Sequence, residues 1–175
     1  MPLPTTPQGL WTRIWTLLKM NRSLVTREEV EGILGLPFTS TEMDDEKRVP
    51  RLGAQYLHTA RRELPGLGLV DVAMFDDPKK IGLSISWGPE ESPTPNCLDL
   101  GQAIADVNKL GWAGGTRSRN PGRGSVLFHR EEDLAEYRRT GKVPDVFTGS
   151  SQLALLVPNQ FSSCVNGVGA SIWRL

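Results

Sequence analysis

Two short stretches of this 175-residue chain end almost alike: Leu83-Ser84-Ile85-Ser86-Trp87 and Gly169-Ala170-Ser171-Ile172-Trp173. Each reads as a strand, and each lies downstream of a strongly signalled helix start, near Thr26 or near Asp99. A chain that opens a helix and then lays down strands, twice over, is restricted to folds in which helices and strand groups are segregated, the α+β class. The expected architecture is an antiparallel sheet with helices packed on one face. It fills a single domain over residues 1–175, in which two helix-then-strands units mark pseudo-repeat halves at 21–88 and 97–175. A chain of this length buries enough apolar surface to need no staples.

The helix signals are local and physical. Leu10, Trp11, Ile14, Trp15 and Leu18 recur at three- and four-residue spacings, which places them on one face of a helix over 9–20. That face must be covered, either by the rest of the domain or by a membrane surface or partner. A polar face with only Arg13 and Lys19 as cations is thin for lipid. Thr26-Arg27-Glu28-Glu29 has capping-box form, with Val30, Ile33 and Leu34 as the apolar stripe, Gly35 as a left-handed stop and Pro37 as a block to continuation. Asp99 with Gln102 repeats the pattern ahead of Leu100, Ile104, Val107 and Leu110, ending at Gly111. Residues 131–139 read as another helix, acids first and Arg138-Arg139 last, as the macrodipole prefers.

Between the helices the signals change. Residues 39–49 carry Glu42, Asp44, Asp45 and Glu46 and read as an acidic surface loop, solvated or used for docking. Over 52–64 helical and alternating spacings compete, and strand is preferred. Pro65-Gly66-Leu67-Gly68 turns the chain into strands at 69–75 and 81–87, an antiparallel meander with a turn at Asp76-Asp77-Pro78. Residues 88–96 read as a linker. Residues 112–125 form a Gly- and Arg-rich loop, 126–129 a strand, and 153–157 and 164–173 closing strands, the last weakened by Gly167 and Gly169.

The chemistry is sparse. Lys plus Arg equals Asp plus Glu at 20 each, so no global field draws the protein to nucleic acid or anionic lipid. Cys97 and Cys164 are isolated and provide neither a zinc knuckle nor a redox pair. They are expected as two buried thiols, with one structural disulfide as the alternative. No apolar run approaches the ~20 residues of a spanning helix. Without a recognisable signal peptide the reading is cytoplasmic, or periplasmic if a leader has been removed. His58 and His129 have no local metal partners, so neither metal nor cofactor is expected. No Gly-x-Ser-x-Gly elbow supports a hydrolase, although a Ser or Cys meeting either His in space would. Asp76 and Asp77 read as turn residues rather than as a catalytic pair. The sharpest local feature is 114–125, where Arg117, Arg119 and Arg123 sit among glycines with no acid between Asp106 and Glu131. Such a loop could take phosphate or RNA backbone, or meet an acidic protein surface.

The segment Val25-Thr26-Arg27-Glu28-Glu29-Val30-Glu31-Gly32-Ile33-Leu34-Gly35-Leu36-Pro37 resembles the helix-plus-Gly-x-Pro opening shared by small bacterial outer-membrane assembly lipoproteins and β-lactamase-inhibitor-like modules. The resemblance implies helices laid against an antiparallel sheet. At class level, a neutral α+β chain with scattered Trp and no evident chemistry is similar to bacterial immunity proteins. That similarity implies a non-enzymatic inhibitor that neutralises a toxin or enzyme by direct protein contact. The expected contact residues are Arg117, Arg119 and Arg123, or Glu42, Asp44 and Asp45. The alternatives are an RNA- or nucleotide-binding protein that uses 114–125, and third a hydrolase built on His58 or His129.

Overall fold

The capping box at Thr26 forms as its residues dictate. The Thr26 hydroxyl accepts from the Glu29 amide, and the Glu29 carboxylate accepts from the Thr26 amide at 2.6 Å. The helix it starts, α2 (Arg27–Leu34), ends at Gly35 with φ 73°, and the Gly35 amide closes onto the Glu31 carbonyl. Ahead of it lies α1 (Pro7–Lys19), whose Arg13 donates to the Leu34 carbonyl at 2.8 Å and so caps the exposed end of α2. These facts come from a computed structural model that describes residues 2–19, 26–42, 56–76, 80–88, 97–117, 124–141 and 152–173.

The remaining elements run β1 (Thr39–Glu42), β2 (Tyr56–Leu64), β3 (Gly68–Asp76), β4 (Lys80–Trp87), β5 (Leu98–Asp99), α3 (Leu100–Lys109), β6 (Trp112–Arg117), β7 (Gly124–Arg130), α4 (Glu131–Thr140), β8 (Gln152–Val157), β9 (Cys164–Val165) and β10 (Gly167–Trp173). Eight strands make one antiparallel sheet in the order β1-β2-β3-β4-β10-β8-β7-β6, and β5 with β9 makes a separate two-stranded ladder. The protein is α+β. The expected meander forms as β2-β3-β4, with the described turn at 65–67 joining β2 to β3; Asp77 and Pro78 lie outside the described residues. At Gly66, with φ 78°, a Cβ would stand 2.2 Å from the Thr5 carbonyl oxygen, so this turn tolerates only glycine where it meets the amino-terminal segment.

The two alike stretches are neighbours, because β4 and β10 run antiparallel at the centre of the sheet. They are nevertheless out of phase. Leu83 pairs with Ala170, both buried, and Ser84 pairs with Gly169, neither buried. Aligning the stretches by letter would match Leu83 to Gly169 and Ser84 to Ala170, on opposite faces, because strand side chains alternate with period two.

One face of the sheet meets the helices. Val72 and Met74 of β3, Ile81, Ile85 and Trp87 of β4, Leu153 and Leu155 of β8 and Phe128 of β7 are buried in one cluster with Leu10, Trp11, Ile14, Leu17 and Leu18 of α1, Val30 and Leu34 of α2 and Ala103 and Val107 of α3. Each of the larger side chains among them contributes about 2 kcal/mol when removed from water. The amphipathic face of α1 is therefore covered by the protein's own core. The Trp11 indole also donates to Asp106 Oδ2 of α3 at 3.0 Å, and Lys19 lies 4.2 Å over the Trp15 ring.

Several expectations change. Residues 39–42, expected as acidic loop, form edge strand β1: the β-branched Thr39 and Thr41 flank Ser40, and all four residues ladder onto β2. Residues 112–117, expected as the start of the Gly/Arg loop, form strand β6, and β7 begins at Gly124, two residues before the expected strand; 118–123 lie outside the described residues. The closing strand at 164–173 divides at Asn166 into β9 and β10. The cysteines are not two thiols but a disulfide, Cys97–Cys164, with Cα atoms 5.3 Å apart across the β5/β9 ladder. The pattern at Asp99 is only half a capping box. Asp99 accepts from the Gln102 amide, while the Gln102 side chain turns forward to Asp106 Oδ1 at 2.9 Å. No helix among the described residues is long and apolar enough to cross a membrane.

Candidate functional site

Two features of the sheet can meet another molecule. The first is the face turned away from α1, α2 and α3. Its central row, read across the ladder, is Thr59, Ala73, Ser84, Gly169, Ala154 and Leu127. Leu57 and Phe75 flank the row on one side of the β4/β10 centre, and Leu156 flanks it on the other. None of the described side chains on this face is buried, and Leu69 and Leu127 are exposed at 38% and 42%. A Cβ on Gly169 would meet nothing within 4 Å. The middle of this face is thus built of small side chains, with Leu57, Phe75 and Leu156 as separate apolar positions in flanking rows that also carry Asp71, Ser86, Ser171 and Gln152.

The second feature is a cleft of about 400 Å³ at the β1 end of the helix-bearing face, lined by Thr26, Arg27, Glu28, Ser40, Tyr56, His58 and Asp76. Ser40 and His58 stand directly opposite each other on β1 and β2. Their register places the Ser40 hydroxyl 2.8 Å from His58 Nδ1. His58 is 6% exposed. Tyr56 stacks near-parallel at 6.2 Å and Phe38 lies tilted at 6.3 Å, so the imidazole is fixed between rings. Its Nε2 faces Asp76 Oδ2 at 3.8 Å, too far for a hydrogen bond but close for an ion pair. Asp76, read from sequence as a turn residue, is the last residue of β3 and faces the histidine.

The walls of the cleft are held from behind. Glu31 Oε1 accepts from the Phe38 amide at 2.7 Å and pairs with Arg27 at 3.0 Å, while Arg27 also donates to the Phe38 carbonyl. The Phe38 amide holds the Glu31 carboxyl below its ordinary value of 4.5; burial opposes it, and the Arg27 guanidinium adds to it. Arg27 is thereby engaged in joining α2 to β1.

The residues expected to make contacts are scattered. Arg117 ends the edge strand β6, exposed, with its guanidinium donating to the Gln160 carbonyl at 2.6 Å and the Ser162 carbonyl at 3.4 Å. Glu42 is exposed at the end of β1, at the opposite edge of the sheet. Arg119, Arg123, Asp44 and Asp45 lie outside the described residues. His129 faces away from the core on β7, and its Nδ1 has no hydrogen-bond partner among the described residues. Both cysteines are in the disulfide, which removes a thiol nucleophile. Among the described residues no group of His, Cys, Asp and Glu could hold a metal ion. Compared with protein-family models, curated proteins and solved structures, the chain finds no match.

Proposed function

We propose that this protein is a binding protein of the inhibitor or immunity type, neutralising a toxin or enzyme by direct protein contact through the face of the sheet opposite α1, α2 and α3. The observation that carries this reading is the asymmetry of the sheet: one face is sealed by large apolar side chains, and the other leaves small residues with scattered Leu57, Phe75, Leu127 and Leu156 uncovered by the core. Eight strands at a spacing of about 4.8 Å, each with about six residues in the ladder, offer a surface of roughly 700 Å². Each partner in a standard protein–protein interface contributes about 800 Å². A surface carried on paired strands binds without ordering loops, which lowers the entropy lost on association.

The Cys97–Cys164 bridge supports an oxidising compartment such as a periplasm or an extracellular space, because structural disulfides rarely persist where thiols are kept reduced. The RNA-binding alternative rests on Arg119 and Arg123, with Arg117 drawn toward the 160–162 carbonyls. Tagged protein incubated with native lysate and culture medium, then washed at low and high salt, separates the readings. One stoichiometric protein retained at high salt is the expected result. RNA alone, released by salt as counterion release requires, would overturn the inhibitor reading.

A further inference from the structure

On the opposite face of the sheet, and independently of partner binding, we propose that Ser40 is a nucleophile toward neutral, activated carboxylic esters, with His58 as its general base. The pair satisfies the geometric test for such chemistry. Ser40 Oγ lies 2.8 Å from His58 Nδ1, Ser40 is exposed to a cleft of about 400 Å³, and the imidazole is buried and clamped between Phe38 and Tyr56.

Asp76 lies on the side of the imidazole away from Ser40. Its carboxylate on the Nε2 side, at 3.8 Å, favours the tautomer protonated at Nε2, which leaves the Nδ1 lone pair to accept the serine hydroxyl. Asp76 is thus a positioning residue. The roles of the two ring nitrogens are exchanged relative to the serine-protease arrangement, but the electrostatic logic is the same: the imidazolium formed on proton uptake faces a carboxylate.

The steps balance with water alone. Ser40 Oγ attacks the ester carbonyl carbon as its proton passes to His58 Nδ1, and the leaving alkoxide then takes that proton and departs as the alcohol. Water, activated by the same nitrogen, attacks the acyl-serine, releasing the carboxylic acid and restoring Ser40. Negative charge on the carbonyl oxygen develops beside the start of α2. Arg27 and Glu28, both lining the cleft, occupy the first two helical positions there, where backbone N–H groups have no intrahelical carbonyl. The charges select a neutral ester over an anionic one: Glu28 and Asp76 line the cleft, and the Arg27 guanidinium is engaged by Glu31 and the Phe38 carbonyl.

The test is intact-mass labelling of the full chain with a fluorophosphonate probe, which loses fluoride to a reactive serine, followed by mapping of the adduct. The expected result is one adduct, at Ser40, absent in Ser40→Ala and slowed at least about 100-fold in His58→Asn, the contribution typical of a general base. No adduct, an adduct elsewhere, or full-rate labelling of a folded His58→Asn variant overturns the proposal. Should that variant not fold, the wild-type pH profile decides. Labelling that falls about tenfold per pH unit once the imidazole is protonated supports it, and a rate independent of pH overturns it.

Discussion

Ser84 and Ile85 are consecutive residues of β4, yet they belong to different parts of the molecule. Ile85 is fully buried among helix and sheet side chains, whereas Ser84 is exposed in the middle of a surface roughly 35 Å across. The same backbone serves both, because strand side chains alternate. The lesson is a division of labour by parity: one set of residues makes the sheet stable, and the other is free to be chosen for what it meets. Gly169, Ala154 and Ala73 beside Ser84 carry no packing duty of the kind that fixes Leu83 and Val168.

The largest losses of stability are expected from damage to the covered side. Replacing both cysteines, Cys97→Ser with Cys164→Ser, releases a link across 67 residues and is expected to lower stability by about 4 kcal/mol in the chain-entropy account, read from urea unfolding. Ile85→Ala is expected to lose about 3 kcal/mol, because it opens a cavity between helices and sheet, while the Ser84 variant described below leaves the same transition unmoved. Thr26→Ala removes one half of the capping box and is expected to lose about 1 kcal/mol by the same measurement. The smallest effect is electrostatic. Glu31 titrates lower in the folded than in the unfolded chain, so its stabilisation is complete above its ordinary value of 4.5 and is lost as pH falls below that value. Glu31→Gln should therefore narrow the stability difference between pH 6 and pH 3, and an unchanged difference would remove Glu31 from the account.

What the sequence made legible was what depends on near neighbours. The Thr26 box, the Gly35 stop, the Asp99 cap and the meander through Gly66 are each written within a few residues, and each forms. What it hid depends on register between distant segments. Ser40 and His58 meet only because β1 ladders onto β2, and β1 is a short polar edge strand beside an acidic stretch whose charges suggest a loop. Asp76 reaches His58 only because β3 runs back along β2 to Tyr56. The β-branched alternation at Thr39 and Thr41 was the one local signal for that edge. The letters of Leu83–Trp87 and Gly169–Trp173 suggested equivalence, but a one-residue offset in facing, visible only in the ladder, sets Leu83 and Gly169 on opposite sides.

Partner recognition is assigned here to the residues opposite the helices. High-salt capture by the wild type and by Ser84→Arg in parallel, with unfolding of both recorded, tests that assignment. Ser84→Arg places a charge at the centre of the face without touching the core, so its stability should stay within about 0.5 kcal/mol of wild type. The wild type should then retain one stoichiometric protein that the variant does not. Capture of the same protein in equal amount by a folded Ser84→Arg variant would contradict the claim and move recognition elsewhere on the molecule.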